Sequence, residues 1–333
     1  MKNRKYFILV AIALGAILIT IGLYFLLRGY FVNEDWTYDV TVDFYDEVTN
    51  ELTNQDRLEI TSVIENINVL KGEEGVFKAV LHGQVPENYR NVPALRLSGR
   101  AGGINMEVRY RKDRIDLKKG SLQLDVYIPD SYRNALTINS YSGDIYLNDD
   151  INREIIINTV SGFINAERIE CNNFICQTVS GDISLKDIIC MGTLDARNTS
   201  GVISLERIET QNIKSATVSG NLRISGNVGN VNVETVSGPV EVLLTGLRGQ
   251  IALTGIAGDI SLYVNASAAY DLNATTVTGN INVQGFDVKV NKQSEKTLQG
   301  RINGGGSAVN IKTTSGNIYI DRYSNSARSQ DTA

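Results

Sequence analysis

Apolar and polar residues alternate with a period of two through most of residues 56–322, a pattern that is typical of strands with one buried face. The alternation comes in short blocks, each centred on a Ser-Gly pair or a close variant of it. In Thr178–Leu185, which reads TVSGDISL, the inward phase changes at Ser180, the residue before the glycine. We call this residue the index of its block. Apolar residues recur six and four positions before the index and three and five positions after it, so each block is predicted to hold two short strands joined by a turn.

The block recurs along the chain, which indicates a repeat protein. Successive index residues lie 18 to 21 positions apart, except for a last step of about two periods. One block cannot bury its apolar face alone, so neighbouring blocks must stack. The sequence therefore predicts an all-β fold, a single-stranded parallel β-solenoid (β-helix) with coils of about 19 residues, preceded by one N-terminal transmembrane helix. The predicted repeat turns are Ser142 and Gly143, Ser161 and Gly162, Ser180 and Gly181, Ser200 and Gly201, Ser219 and Gly220, Ser237 and Gly238, and Ser315 and Gly316, with Ala257 and Thr278 as looser index residues.

The residue types at the turn suit its geometry. Glycine is expected because it adopts positive φ angles without a Cβ clash, and Asp or Asn often follows it. A phosphate-binding loop is not favoured, since neither the Walker lysine nor a helix follows the glycine. Threonine stands two positions before the index in six blocks, on the inward phase. This predicts a buried hydroxyl ladder along the turns rather than the exposed threonine array of an ice-binding surface.

The N-terminal segment predicts a membrane anchor. Tyr6–Leu27 contains 22 residues without a charge, enough at ~1.5 Å per residue to cross the ~30 Å hydrocarbon core. Residues 1–5 carry three basic side chains, which predicts a cytoplasmic N-terminus with the rest of the chain outside. No small-residue cleavage site follows the apolar run, although a cleaved signal peptide is the alternative. The expected location is the cell membrane, with residues 6–28 as a single-pass transmembrane helix.

The rest of the chain varies in regularity. Arg57–Val69 fits the repeat with Ile64 as its index, although Ser-Gly is missing there. Gly285–Ser307 is long enough to predict a hairpin or loop that leaves the stack, and Val309–Asp321 is expected to be the last coil. The predicted divisions are a spacer or cap at 29–55, an irregular β region at 56–134, regular solenoid repeats at 135–322 and a disordered tail at 323–333.

Charge excludes one class of partner. The formal net charge of the chain is −5, and removing the four basic residues among the first 28 positions leaves −9 (−5 − 4) for residues 29–333. An acidic domain of this kind argues against nucleic acid as a partner. It also argues against binding anionic headgroups or anionic wall polymers without a bridging cation.

Cysteine spacing leaves two interpretations open. Cys171 and Cys190 each lie ten positions after an index residue, so they are expected to stack in consecutive coils, within reach of a disulfide. The alternative is that two small residues simply occupy the same turn position. The spacing fits no zinc signature. Cys176 replaces a core residue and is expected to be a buried thiol.

No catalytic, cofactor-binding or metal site is predicted, and the protein is not expected to be an enzyme. His82 is the only histidine and lies outside the regular repeats, so no Ser-His-Asp set can be assembled with it. It is expected to be an exposed or core-satisfying side chain. Acidic residues at outward positions have basic neighbours, which indicates a solvated mixed surface, with weak Ca²⁺ sites as the alternative. These acidic residues are Glu167, Glu170, Asp187, Glu206 and Glu209.

The TVSGDISL-type blocks, the segment Leu124–Pro129 (LDVYIP) and the N-terminal anchor resemble the bacterial putative-adhesin family of β-strand repeats. This family is a domain of unknown function found in cell-envelope proteins. The resemblance covers roughly residues 56–322 and implies a β-solenoid, with no family active site to carry over. The chain departs from the pattern in the first coil, which lacks Ser-Gly, and in the long excursion before the last coil.

The expected function is that of a non-enzymatic, membrane-anchored cell-envelope protein that displays a β-solenoid for binding, adhesion or scaffolding. Its expected partners are the membrane and an unknown protein or envelope polymer. The first alternative is an envelope-stress regulatory module that acts through a membrane partner. Envelope enzymes acting on polysaccharide and end-to-end self-assembly have less support. The outward positions expected to form the working surface include Tyr146, Arg197, Arg223, Glu234, Glu241 and Tyr319.

Overall fold

The computed structural model describes residues 31–32, 40–53, 57–87, 89–100, 102–111, 114–115, 117, 121–148 and 151–323. Its regular secondary structure in these ranges consists of β-strands only. The chain divides into two compact units, Met1–Ile188 and Ile189–Ala333. The expected transmembrane helix at 6–28 lies outside the described residues. Among the residues that are described, no helix is long and apolar enough to cross a membrane.

The strands follow the blocks of the sequence. The first unit contains β1 (Phe31–Val32), β2 (Thr41–Glu51), β3 (Arg57–Ser62), β4 (Asn66–Gly72), β5 (Val76–Pro86), β6 (Ala94–Arg100), β7 (Gly103–Arg109), β8 (Arg114–Ile115), β9 (Leu122–Pro129), β10 (Leu136–Ser140), β11 (Ile145–Asn148), β12 (Ile151–Thr159) and β13 (Ile164–Thr178). β14 (Ile183–Asn198) begins in the first unit and ends in the second. The second unit contains β15 (Ile203–Ser219), β16 (Leu222–Ser237), β17 (Val240–Leu247), β18 (Ile251–Ala257), β19 (Ile260–Val264), β20 (Tyr270–Thr275), β21 (Ile281–Val283), β22 (Val288–Ser294), β23 (Thr297–Ile302), β24 (Ser307–Lys312) and β25 (Ile318–Arg322).

Parallel pairing stacks the coils in the register that the sequence predicts. In the first unit, Leu136 pairs with Ile155 before the turn and Ile145 pairs with Ile164 after it. These four side chains are fully buried. In the second unit the equivalent register joins β15 to β16 and β17 to β19. Each unit therefore has a core of stacked aliphatic side chains from the predicted inward positions.

The order of the coils in the first unit differs from their order in the sequence. β3 and β4 pair with β10 and β11 on one side, with Leu58 opposite Leu136 and Ile67 opposite Ile145. This confirms the predicted alignment of the coil that lacks Ser-Gly. On their other side β3 and β4 pair with β7 and β9, which come later in the chain. β9 is then covered by antiparallel β5 and β2, and β7 by antiparallel β6.

The second unit reorders its coils in the same way. β24 and β25 pair with β18 and β19 on one side and with β20 and β21 on the other. The last coil in the sequence is therefore inside the stack, which corrects the expectation that it follows the others. The excursion Gly285–Ser307 does contain a hairpin, formed by β22 and β23, but β23 pairs antiparallel with β20 instead of leaving the stack. The hairpin covers the backbone groups that β20 would otherwise expose at an open edge.

Close stacking explains glycine at most turns better than its φ angle does. Positive φ occurs at Gly201, Gly238 and Gly258 among the turn glycines. At the other turns the limit is space. A Cβ on Gly181 would lie 1.9 Å from the carbonyl oxygen of Gly162, and one on Gly220 would lie 2.0 Å from that of Gly201. Each glycine thus meets the backbone of the turn below it, in a column that leaves no room for a side chain.

The residues around the glycine column link the turns. The predicted threonine ladder is buried, and the hydroxyl oxygens of Thr159, Thr178 and Thr276 each accept the N–H of the glycine three residues on, at 3.0 Å. Asp144 accepts the N–H of Phe163 from the neighbouring coil through Oδ1, at 2.8 Å. In the second unit, Lys296 donates from Nζ to the carbonyl oxygen of Gly279 at 2.7 Å, at the terminal coil of the column.

A buried carboxylate replaces glycine in the coil that lacks Ser-Gly. Glu65 occupies the glycine position and is 0% exposed. Its Oε2 accepts the hydroxyl of Ser62 at 2.6 Å and the N–H groups of Val63 and Ile64 at 3.0 and 3.2 Å. The hydroxyl of Tyr110 donates to Oε1. Four donors satisfy this carboxylate, so its burial is compensated by hydrogen bonds.

We expect Gly181→Ala to lower the free energy of unfolding by about 3 kcal/mol, because its Cβ would overlap a backbone oxygen that can move only with the whole turn. Gly99→Ala in the same unit is the control, since a Cβ there has nothing within 4 Å. Its effect should stay within about 0.5 kcal/mol. Denaturant unfolding followed by circular dichroism measures both. Equal losses in the two variants would show that the column does not limit the turn.

We expect Glu65→Ala to lower the free energy of unfolding by roughly 3 kcal/mol, because buried donors lose their common acceptor. Glu65→Gln keeps one acceptor oxygen and should cost about half as much. Glu59→Ala is the matched control, because Glu59 is exposed on the adjoining strand. The measurement is the same unfolding curve, and a Glu65→Ala curve that coincides with the control would contradict the structural role of this carboxylate.

Candidate functional site

The outward side chains of six adjacent strands form one polar and aromatic surface on the first unit. The strands are neighbours in the order β2, β5, β9, β4, β11 and β13. With strands ~4.8 Å apart, the surface extends about 24 Å across them. We call it the amide–tyrosine face. Its members are Tyr45, Asn66, Asn68, His82, Gln123, Asp125, Tyr127, Tyr146, Phe163 and Asn165.

Asp125 organises the centre of the amide–tyrosine face. Its Oδ1 accepts from the side-chain Nδ2 of Asn68 at 2.7 Å, and its Oδ2 lies 3.0 Å from Nε2 of His82. The side chain of His82 is 38% exposed and that of Asp125 is 17% exposed. The only histidine is thus held at the surface by a carboxylate. No serine, threonine or cysteine in the described ranges is hydrogen-bonded to it, so the arrangement orients polar groups and does not form a nucleophile–base pair.

One border of the face is an ion pair beside two tyrosines. Nζ of Lys78 lies 3.1 Å from Oε2 of Glu47 and 5.9 Å from the ring centroid of Tyr127. The hydroxyl of Tyr45, a residue that is 65% exposed, also donates to Glu47. The hydrogen bond from Tyr45, and after it the bond from Lys78, holds the pKa of Glu47 below its usual value. The bond to Glu47 in turn raises the pKa of Lys78. Both partners therefore remain charged at neutral pH, and each partly cancels the field of the other.

The opposite border is aromatic. The rings of Tyr146 and Phe163 meet edge to face, with centroids 6.3 Å apart. Burial raises the pKa of Tyr146, and the nearby charge of Asp144 adds to the effect. Its hydroxyl therefore stays a neutral hydrogen-bond donor at neutral pH. Ring packing on one side and the backbone ladder beneath fix both side chains, so they form a preorganised contact surface.

A smaller depression with similar chemistry lies on the second unit. Tyr319 on β25 is 40% exposed and stands opposite Ser261 of β19 and Asn282 of β21. The depression has a volume of about 340 Å³. It is lined by Ser261, Tyr263, Asn282, Gln284, Tyr319, Ile320 and Asp321. Tyrosine and amide side chains thus occur on outward positions of both units, each considered by itself.

The residues predicted for the working surface are outward, but several are engaged with neighbours. Arg197 donates to both carboxylate oxygens of Asp195, at 2.6 and 2.7 Å, and this contact raises the pKa of the guanidinium. Arg223 lies 3.6 Å from Glu241. Tyr146 belongs to the amide–tyrosine face. The predicted Ser-Gly residues form turns and were not brought together as a site.

The predicted mixed surface is also present in the first unit. Glu167 lies 3.2 Å from Arg168 and 3.0 Å from Lys186, so its charge is balanced by neighbours. No group of three or more His, Cys, Asp or Glu residues able to hold a metal ion occurs in the part of the chain that the structure describes.

The three cysteines are buried. Cys171 belongs to the first unit and Cys190 to the second, and the disulfide between them stays a prediction. Cys176 lies in the core, as its inward position indicates.

Sequence reasoning missed most of the amide–tyrosine face. The face joins strands from residues 41–51 and 76–86 to repeats that start only after residue 135, through the reordered coils. Local alternation in Ser121–Pro129 marks Asp125 as outward, but nothing in the sequence places Asn68 or His82 beside it. These side chains come together only through the pairing of β9 with β4 and β5 in the folded chain.

Comparison with known proteins gives one family and several distant structures. Similar crystal structures include a putative adhesin from Bacteroides fragilis, with 11% identity, 84% of this chain and 97% of that chain covered, and a TM-score of 0.42. A putative adhesin from Parabacteroides merdae has 14% identity, covers 66% of this chain and 95% of its own, and has a TM-score of 0.40. A putative lipid binding protein from Parabacteroides distasonis has 13% identity, coverages of 84% and 97%, and a TM-score of 0.45.

No curated protein matches the sequence significantly. The profile of one protein family, Toastrack DUF4097, matches residues 56–321, a range that begins just before β3 and ends within β25. The match covers well over half of the 333 residues. The chain therefore belongs to the Toastrack DUF4097 family, a family of domains of unknown function.

Proposed function

We propose that this chain is a non-enzymatic, membrane-anchored protein of the cell envelope that displays its β-solenoid coils to bind a neutral envelope glycan. The observation that carries the proposal is the amide–tyrosine face. It combines four aromatic rings with four neutral amide side chains and an oriented His–Asp pair on a β-sheet. Rigid tyrosines with adaptable amide partners are typical of recognition surfaces, because little side-chain entropy is lost on binding.

The chemistry of the face favours a polyhydroxylated ligand. The C–H faces of sugar rings pack on aromatic rings, while sugar hydroxyls both donate and accept hydrogen bonds. Asn68 and Asp125 already bond to each other, and their remaining acceptor sites are available to hydroxyl groups. The face is a surface of side chains on six adjacent strands, which suits a linear polymer better than a small molecule that needs a deep pocket.

Electrostatics favour a neutral polymer. Two basic side chains of this surface, His82 and Lys78, each contact a carboxylate, of Asp125 and Glu47 respectively. No cluster of unopposed positive charge is therefore offered to an acidic polysaccharide. The net negative charge of residues 29–333 also disfavours binding of an acidic polymer.

The same contacts argue against glycan cleavage at this face. Glycoside hydrolysis uses two carboxyl groups, one on each side of the bond that breaks. Here Asp125 is engaged by Asn68 and His82, and Glu47 by Lys78 and Tyr45. Both carboxylates orient other side chains, so the arrangement supports binding rather than acid–base chemistry.

We expect the double variant Tyr127→Ala and Tyr146→Ala to weaken glycan binding at least about 10-fold, which corresponds to about 1.4 kcal/mol. The test is affinity electrophoresis of the full-length chain in non-ionic detergent, through gels that contain soluble neutral β-glucan or, separately, acidic polygalacturonate. Lys214→Ala, an exposed substitution in the second unit, is the control and should migrate like the wild type. Retardation by polygalacturonate alone, or equal retardation of the double variant, would overturn the proposal.

We expect the full-length chain to remain in the membrane fraction after alkaline carbonate washing and to be released by detergent. The reason is the uncharged segment Tyr6–Leu27, whose transfer out of lipid is unfavourable. A variant without residues 1–28 should be recovered in the soluble fraction. Fractionation followed by immunoblotting measures this, and carbonate release of the full-length chain would contradict the anchor.

A further inference from the structure

Each unit has a strand at the edge of its cap. β2 pairs with β5 along one side, and no backbone ladder lies on its other side among the residues described in that unit. β22 pairs with β23 along one side, again with no described ladder on the other. An open edge carries unpaired N–H and C=O groups that can add a strand from another chain.

The two edges carry opposite charges. β2 reads TVDFYDEVTNE and contains four carboxylates without a basic residue. β22 reads VKVNKQS and contains two lysines without an acid. Arg301 stands directly opposite Lys289 on the neighbouring strand, but its Nε lies 3.5 Å from Oδ1 of Asp271, so the positive charge of this edge comes from Lys289 and Lys292. The acidic edge belongs to the first unit and the basic edge to the second.

Both edges also expose apolar side chains. Val42 and Tyr45 on β2 are 40% and 65% exposed, and Val290 on β22 is 46% exposed. Every residue of β22 after Val288 is exposed. Each edge therefore offers backbone groups, apolar side chains and charge of one sign over a full strand length.

From these observations we propose that β2 of one copy of this chain pairs with β22 of a second copy. Opposite charges on facing strands are stabilising and like charges are destabilising. Pairing of β2 with β2, or of β22 with β22, is therefore disfavoured, while pairing of β2 with β22 is favoured. The contact joins two different surfaces, so a copy that pairs through β2 can also pair through β22, and assembly gives either a closed ring or an open chain of copies.

Protection against aggregation is the competing explanation, because charged residues on edge strands also keep chains apart. The two explanations differ in the importance of charge sign. Protection against aggregation requires only that two edge strands which could pair carry charges of the same sign. Assembly requires that the charge of β2 oppose the charge of β22, so exchanging signs must change partner choice. This inference does not depend on the glycan proposal, since the two edges need no ligand.

The carboxylates that test the contact are those not already engaged within the unit. Asp46 accepts the N–H of Leu95 at 2.8 Å, and Glu47 contacts Lys78. Asp43 and Glu51 are exposed at the two ends of the strand. They are the residues to exchange, because their reversal leaves the packing of the cap intact.

The experiment is sedimentation velocity of the full-length chain in non-ionic detergent. At about 0.01 M ionic strength, where the Debye length is ~30 Å, we expect species larger than the monomer whose amount grows with protein concentration. At about 1 M, where it is ~3 Å, we expect at least a 10-fold weaker association. A single monomeric species at low ionic strength and high protein concentration overturns the proposal.

Charge reversal identifies the edges. A chain with Asp43→Lys and Glu51→Lys, whose β2 then carries two basic and two acidic side chains, should fail to associate with itself. A chain with Lys289→Glu and Lys292→Glu, whose two edges are then both acidic, should also fail. An equal mixture of the two should assemble again, because the unchanged acidic β2 of the second chain meets the unchanged basic β22 of the first. Lys214→Glu is the charge control and should assemble like the wild type. Association of either reversed chain alone, or no recovery on mixing, overturns the proposal, and thermal melting confirms that each variant is folded.

Discussion

The contact between stacked turns is the constraint on which the rest of the structure depends. Parallel ladders hold the coils ~4.8 Å apart on both sides of the turn, so the turns themselves must stack at the same distance. At that distance the carbonyl oxygen of Gly162 occupies the space that a side chain of Gly181 would need. Glycine is therefore required once per coil at a fixed position. The buried hydroxyls of Thr159, Thr178 and Thr276 then accept the N–H groups of the glycines three residues on.

A stack built in this way must end, and the ends explain the irregular parts of the chain. A terminal coil exposes a row of backbone groups to water or to another chain. In the first unit, antiparallel strands β5 and β6 cover that row, and Glu65 replaces glycine in the coil that pairs with the terminal strands β7 and β9. In the second unit, the hairpin of β22 and β23 covers β20, and Lys296 bonds to the terminal glycine carbonyl. In both units the reordered coil pairs in parallel with another coil on each of its two sides. These parallel ladders connect the capped end to the rest of the stack.

Because inward and outward positions alternate, the outward positions can hold many residue types without changing the core. Inward residues are fixed by the aliphatic core, whereas outward residues are limited only by solubility and by their lateral neighbours. The amide–tyrosine face uses that freedom. Its side chains come from six strands, and the backbone ladder beneath holds them in fixed relative positions. A ligand that binds there meets groups already oriented by contacts such as that of Asn68 with Asp125.

The sequence by itself determined the coils, because the period of two within each block and the recurrence of the blocks can be read directly from the residues. It also determined the inward positions, including the coil around Ile64, whose register with Leu136–Leu147 is observed. Only the tertiary structure decided the order of the coils, since equivalent coils present almost the same apolar edge and the sequence does not rank their pairings. The same limit applies to the amide–tyrosine face, where His82 and Asp125 meet through strands β5 and β9. It applies as well to the reason for glycine, because a steric contact between coils cannot be read from the residues of one coil.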